Sequence, residues 1–345
     1  MKAVRLLGPN DFTVENIPVP EISEDEILLR MKTTAICGTD MRILTGKKTR
    51  GVRYPSTIGH EICGVIEKVG AHVEGFAPGQ KVAVANVIPC HHCAMCLTGH
   101  ENACMNRKAI AYEFDGGFAE YVRIPEICIA SGNVVPLPDD VSFAEGALIE
   151  PLSCCLHGQK TMGVKVNDVV LVEGAGPIGL MHLALAKIAG ARTVIVSEPN
   201  AFRRGKAEEL GADIVVNPME EDLHSVVMEA SNGLGADVVI LAIGVPALVN
   251  EAFRLAKRNG SVSLFAGFPE KSTCTIDPNL IHYSEIHVTG STAYTRQDYM
   301  EAAELVRSRR IELEKLVTHR FHIEEFDKAY EVSKSGEGLK ICIVP

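Results

Sequence analysis

Four cysteines within fifteen residues, Cys90, Cys93, Cys96 and Cys104, constrain this chain more than any other feature. They follow the pattern Cys-x2-Cys-x2-Cys-x7-Cys in a stretch rich in His, Asn and Gly. Such spacing lets one loop fold back and present four thiolates to a single ion at tetrahedral geometry. Apolar packing gives cysteines no reason to recur every third residue in a polar loop. Four thiolates also hold iron–sulfur clusters, but the usual ferredoxin run closes sooner and continues with proline. Here Met105 and Asn106 follow Cys104. The expectation is a structural zinc in a lobe of about residues 88–106. Its shell is complete without a substrate, and by analogy with zinc fingers it orders the lobe with on the order of 10 kcal/mol.

A length of 345 residues suits two domains, each with a core of its own. The net charge of −10, with no Lys/Arg stripe along a predicted helix, argues against a nucleic-acid partner. There is no membrane partner to expect either: no apolar run is long enough to span a bilayer, and Met1-Lys2-Ala3-Val4-Arg5 does not begin an apolar signal segment. Eleven cysteines without an export signal read as a protein of the reducing cytoplasm, where thiols bind metal rather than pair. Cys63, Cys128, Cys154, Cys155, Cys274 and Cys342 carry no spacing signal and read as packing residues.

The fold class is α/β, in two parts. The first 150 residues alternate short Val/Ile-rich runs (Glu26 to Met31, Gly64 to Val69, Lys81 to Val84, Ala119 to Ile124) with Gly and Pro punctuation, the pattern of an antiparallel β domain. The texture changes near Glu150-Pro151. From Val169 onward strands alternate with helical stretches, which predicts a doubly wound parallel sheet. Its predicted strands start at Val169, Thr193, Asp213, Ala236, Ser261 and Ile286, with helices over Pro177 to Ala189 and Ala247 to Lys257. The tail predicts helices near Gln297 to Ser308 and Phe326 to Ser335. Its closing strand, Lys340 to Val344, returns to the first domain. The expected division is therefore 1–153 with 292–345, and 154–291.

Gly174-x-Gly176-x-x-Gly179 directly follows the Val169 strand and opens a helix. In that setting Gly174 permits the tight turn, Gly176 lets backbone approach a pyrophosphate, and Gly179 lets helix and strand pack closely. The helix N-terminus, with Pro177 and Ile178 in its first turn, offers free N–H groups and partial positive charge to phosphates. Glu198, at the end of the next strand, is placed to accept hydrogen bonds from a ribose 2′-hydroxyl and repel a 2′-phosphate, which favours NAD over NADP. Arg203 and Arg204 keep NADP open, because a guanidinium clamps phosphate; their simpler role is to cover the adenine face or the helix surface.

A second metal group is dispersed: Cys37-Gly38-Thr39-Asp40, then Gly59-His60-Glu61, then Glu150. Three such protein ligands leave a place on zinc for water or an alcohol. Zinc lowers the pKa of that oxygen acid towards neutrality. Taken together with Gly59-His60-Glu61-x2-Gly64-x5-Gly70-x2-Val73, the cysteine lobe, Asp115-Gly116-Gly117-Phe118-Ala119-Glu120-Tyr121, Glu150-Pro151 and the glycine fingerprint, the chain resembles the zinc-dependent medium-chain dehydrogenases, of the sorbitol/polyol and threonine dehydrogenase branch. The resemblance spans essentially the full length. It implies a GroES-like β-rich catalytic domain and a Rossmann domain with the active site in the cleft between them. It also implies two zinc ions per chain and a homotetramer. Cys37 and His60 would ligate the catalytic zinc, with Glu150, Glu61 and water at the remaining positions and Glu150 favoured at rest. Thr39 would pass the substrate proton outward. Ala266, Gly267, Gly290 and Ser291 would line the nicotinamide pocket.

One position departs from that family. Many relatives read Cys-Gly-(Thr/Ser)-Asp-x-His, and here the last position is Arg42. Histidine relays protons near neutral pH, whereas arginine does not give up its proton. Arg42 also begins a cationic run with Lys47, Lys48, Arg50 and Arg53 in an otherwise acidic chain. That run is either an element that steers an anionic substrate or a solvated loop. The sequence thus reads as an NAD-linked dehydrogenase oxidising a secondary alcohol of a polyol, sugar or sugar-alcohol phosphate. A threonine- or butanediol-type dehydrogenase is the alternative, and a nucleotide-binding protein without catalysis is the reading of another class.

Overall fold

The computed structural model describes residues 1–345. The chain forms two compact units, Met1–Ser153 with Tyr294–Pro345, and Cys154–Ala293. In chain order the first unit contributes β1 (Lys2–Gly8), β2 (Asp11–Asn16), β3 (Ile27–Ala35), α1 (Gly38–Leu44), β4 (Glu61–Val69), β5 (Lys81–Val84), β6 (Val87–Ile88), α2 (Ala94–Leu97), β7 (Lys108–Ala109), β8 (Tyr121–Ile124), α3 (Glu126–Ala130) and β9 (Val134–Pro136). Helix α4 (Phe143–Met162) runs on into the second unit. There follow β10 (Val169–Glu173), α5 (Pro177–Ala189), β11 (Thr193–Ser197), α6 (Ala201–Glu209), β12 (Ile214–Val216), α7 (Leu223–Ala230), β13 (Ala236–Leu241), α8 (Pro246–Leu255), β14 (Ala256–Leu264), α9 (Pro278–His282) and β15 (His287–Gly290). The chain then returns to the first unit as α10 (Arg296–Arg307), β16 (Val317–His322), α11 (Phe326–Ser335) and β17 (Lys340–Val344).

The first unit is built on a sheet ordered β16-β17-β3-β4-β5-β9, with β8 also on β3. Every pair is antiparallel except β16 with β17. Alternation along β3 and β4 sends Ile27, Leu29, Met31, Ile62 and Ile66 into one aliphatic core. A second core gathers Leu6, Ile43, Leu44 and Ile58 around Phe118 and Phe326, whose rings lie 5.0 Å apart. The closing strand does return: Cys342 faces Ala35, and Ala35 in turn faces Glu61. That ladder brings the two ends of the unit's sequence together.

The second unit is a parallel sheet ordered β12-β11-β10-β13-β14-β15. The order reverses between β10 and β13, the switch point at which doubly wound sheets take ligands. All five residues of β10 are buried, which explains its nearly unbroken apolar run.

Three details differ from the sequence reading. The hairpin of β1 and β2 lies outside the predicted runs, because β2 (Asp-Phe-Thr-Val-Glu-Asn) is polar and half exposed. Strand β14 begins at Ala256 rather than Ser261, paired through Ala236 across an irregular register. The change of texture at Glu150-Pro151 is not a break. Helix α4 passes through Pro151, because continuous burial from Ala147 to Leu152 outweighs the roughly 3 kcal/mol that an interior proline costs.

Candidate metal centres and dinucleotide site

The four thiols of the lobe converge. Cys90, Cys93, Cys96 and Cys104 place their sulfurs within 4.8 Å of one another. Cys93 Sγ is 3.6 Å from Cys96 Sγ and 3.9 Å from Cys104 Sγ. Zinc–thiolate bonds of about 2.3 Å at tetrahedral angles require sulfurs about 3.8 Å apart. The lobe's own backbone prepares the charge. The N–H of His92 heads the influences that hold the Cys90 thiol down at about 5. The N–H of Cys96 leads in lowering Cys93. Desolvation, together with hydrogen bonds to the neighbouring sulfurs, pushes Cys96 up to about 12. Four sulfurs gathered at this spacing, two of them with lowered thiol pKa, form a donor set that fits zinc.

The dispersed group also assembles. Ligand atoms of Cys37, His60 and Glu61 lie within 4.8 Å of one another. Cys37 is the N-cap of α1, where its sulfur accepts the N–H of Thr39 at 3.4 Å. Fully buried Asp40 holds both Cys37 and His60 in place: Oδ2 accepts the Cys37 N–H at 3.0 Å, and Oδ1 stands 3.2 Å from His60 Nδ1. That bond makes Nδ1 the protonated nitrogen and leaves Nε2 as the donor atom. Burial opposes a charged imidazole, yet Asp40 and Cys37 together lift the His60 pKa well above its ordinary value.

The two carboxylates differ. Glu61 is fully buried, and Lys340, 4% exposed, donates its ammonium to both of its oxygens, 2.6 Å to Oε2. Burial raises Glu61 against the pull of Lys340. Glu150, on α4, is buried and falls outside the 4.8 Å group. Burial lifts its pKa to about 7, with His60 the chief opposing charge. The close trio thus contains Glu61, whereas the sequence reading favoured Glu150 at rest; strand β4 fixes Glu61 directly after His60, while Glu150 stands on a separate helix. A buried carboxyl beside a thiol and an imidazole suits a hard-to-soft mixed zinc site. Asp40 and Lys340 were not assigned roles from the sequence. The signals were present: an acid three residues after Cys37, and a lone lysine inside the apolar run Leu339-Lys340-Ile341-Cys342.

The cationic run divides. Arg42 Nη2 donates to Thr39 Oγ1 at 3.1 Å. Lys48 donates to the Tyr112 hydroxyl at 2.7 Å and lies over its ring. Arg53 holds the Tyr112 carbonyl and Asp115. Lys47 and Arg50 remain exposed. Two of the five cations, Lys48 and Arg53, therefore pin a loop. Another correction concerns Cys274: it is exposed, in a segment between β14 and α9, and packs nothing. By contrast Cys63, Cys128 and Cys342 are buried, and burial pushes Cys63 and Cys342 up to about 12.

In the second unit the glycines leave a cradle. Gly174 has φ +98°, in the left-handed region. A Cβ on Gly176 would meet nothing within 4 Å, whereas one on Gly179 would lie 1.8 Å from the Gly174 carbonyl oxygen. The first shows the open space above the turn, the second the closeness of helix to strand. Pro177 is the first residue of α5 and Ile178 the next, as the motif requires. This geometry fits a pyrophosphate on free backbone N–H groups. Glu198 is 4% exposed; Oε2 accepts the Ala175 N–H at 2.8 Å and Oε1 the Asn200 N–H at 2.9 Å. It therefore also braces the glycine turn. Arg204 donates to the carbonyls of Glu198 and Pro199, so its guanidinium caps the loop, while Arg203 is half buried on α6. Ala266 and Gly267 follow β14, with the Ala266 N–H bonded to the Leu241 carbonyl; Gly290 ends β15 and Ser291 follows it.

The family model of the alcohol dehydrogenase GroES-like domain matches residues 23–139, and that of zinc-binding dehydrogenase matches residues 177–308. L-threonine 3-dehydrogenase of Pyrococcus furiosus is 34% identical over 333 residues, 95% of this chain and 93% of that protein. A protein of Sinorhizobium meliloti 1021 described as a zinc-binding dehydrogenase, solved with NADP, superposes with a TM-score of 0.93 at 34% identity, covering 100% of this chain and 99% of the other. Galactitol-1-phosphate dehydrogenase of Escherichia coli superposes with a TM-score of 0.89 at 28% identity, covering 100% of both chains. No helix is long and apolar enough to cross a membrane.

Proposed function

Because the chain belongs to the zinc-dependent medium-chain dehydrogenases, with a GroES-like and a Rossmann part, we propose that it oxidises the secondary hydroxyl of a small substrate that carries a carboxylate, with L-threonine the first candidate, using NAD. This exchanges the polyol reading favoured from the sequence for its alternative. Support for the exchange comes from the threonine dehydrogenase relative, 34% identical across 95% of the chain. The observation that carries the chemistry is the meeting of Cys37, His60 and Glu61, with buried Glu150 close enough to feel the charge of His60.

Cys37, His60 and a carboxylate of Glu61 or Glu150 would hold a catalytic zinc, and Cys90, Cys93, Cys96 and Cys104 a structural one. Zinc in the first site would supply Lewis acidity to the alcohol oxygen. The residues of the chain do the rest. Asp40 keeps the His60 ring in the tautomer that leaves Nε2 free. Thr39 receives a hydrogen bond from Arg42, so its own hydroxyl proton points elsewhere and its oxygen is fixed two residues from Cys37. Arg42 offers four further N–H donors and a permanent charge, which suits a carboxylate on the carbon next to the hydroxyl. A ribose bound beside Glu198 would bring a 2′-phosphate against its charge, and Arg204 is already bonded to carbonyls, which favours NAD.

The test is nicotinamide reduction by the zinc-loaded protein with NAD and with NADP, over L-threonine, butane-2,3-diol, sorbitol and a sugar-alcohol phosphate. Turnover with L-threonine above the neutral diols is expected. Turnover confined to polyols without a carboxylate would refute this reading.

A further inference from the structure

Strand β10 reads Val169-Val170-Leu171-Val172-Glu173, four aliphatic residues and then an acid. Glu173 is 3% exposed, and its Oε1 is buried without a hydrogen-bond partner. A buried oxygen left unpaired is costly, so an aliphatic residue would serve the sheet better. Register places Glu173 between Ser197 of β11 and Leu241 of β13. It thus closes the C-terminal end of β10 at the switch point, where doubly wound sheets take ligands. Gly174 follows immediately, with Ile243 beside it, 3.3 Å from where a Cβ would stand.

The reading of this unit as a dinucleotide site fixes what lies above Glu173. With pyrophosphate over Gly176 and ribose beside Glu198 at the end of β11, the base attached to that ribose falls on the crevice between the ends of β11 and β13. Adenine presents an exocyclic amino donor next to a ring-nitrogen acceptor. A neutral carboxyl presents the matching pair, one acceptor and one O–H donor. Burial, with Glu251 adding its charge, pushes the Glu173 pKa up to about 8, which keeps that proton in place near neutrality.

We propose that Glu173 is an adenine-recognition residue, its carboxyl pairing with the amino edge of the cofactor's base. The inference rests on the dinucleotide reading above and adds to it a group that selects the base rather than the phosphates or ribose.

The experiment measures Kd by calorimetry for AMP and for 1,N6-ethenoadenosine monophosphate, which keeps ribose and phosphate but loses the amino donor. The zinc-loaded full chain is compared with Glu173→Gln and Glu173→Val, each checked for zinc content and circular dichroism. Wild type should prefer AMP about tenfold, the worth of one such pairing. Glu173→Val should bind both ligands alike, and Glu173→Gln, which still donates and accepts, should keep most of the preference. Equal binding of the two ligands by wild type overturns the proposal without recourse to any variant. So does an undiminished AMP preference in Glu173→Val. Failure of wild type to bind AMP and NAD at all would instead remove the dinucleotide reading, and the proposal with it.

Discussion

Lys340 and Glu61, 279 residues apart in sequence, form a buried ion pair in which the ammonium serves both carboxylate oxygens. The pair is possible because β17 joins β3 on one side and β4 joins it on the other. It restrains the carboxylate that stands nearest Cys37 and His60. Removing one member of such a pair strands the other charge, at a cost of about 3–5 kcal/mol. Lys340→Met should therefore lower urea stability by that order, and adding Glu61→Gln should recover most of it. A single variant within about 0.5 kcal/mol of wild type would show that the pair carries no weight.

Asp40 holds the backbone of Cys37 and the ring of His60 at once. Loss of such an outer partner weakens metal binding by about 10–100-fold. Asp40→Ala should show this in chelator competition, losing one zinc per chain while the cysteine lobe keeps the other. Loss of both ions together would mean that Asp40 supports the whole unit rather than one centre.

Few of the lobe's own side chains are buried. Its helix α2 is four residues long with no buried residue, and Leu97 and Met105 are each 74% exposed. Cys96→Ser should then release its zinc and expose the segment near residues 88–106 to protease, with the remaining sheet intact. Unchanged protease resistance after zinc loss would refute a structural role for the ion.

The limits of legibility follow from these contacts. The glycine turn, helix α5 and strand β17 could be read from the sequence to the residue, because their signals are local: positive φ, a proline at the first helical position, an apolar run. The ligand-bearing segments were legible by spacing. What closed them was not. Lys340 reaches Glu61 through a sheet ladder that no local pattern announces, and Pro151 reads as a break although α4 is buried through it. Glu173 hid inside a strand whose apolar residues carried the signal.

Glu173 also makes a prediction about pH. Its carboxyl titrates at about 8 in the fold against an ordinary 4.5. The folded state then holds a proton that the unfolded chain releases. Stability from this group is complete below about pH 4.5 and is lost progressively as pH rises towards 8, by on the order of a few kcal/mol. Glu173→Gln removes the dependence. The variant should gain in Tm relative to wild type between pH 5 and pH 8.5, and a constant difference across that range would contradict the assignment.

The most direct measurement is the rate of NAD reduction by the zinc-loaded protein with L-threonine, compared between wild type and Arg42→Ala. Arg42 already touches Thr39, and a charge-assisted bond to a substrate carboxylate is worth about 1.5–3 kcal/mol. Turnover by wild type is expected, with a kcat/KM lower by about 10–100-fold in the variant and butane-2,3-diol little affected. No turnover of L-threonine, or an equal loss for both substrates, would contradict this expectation.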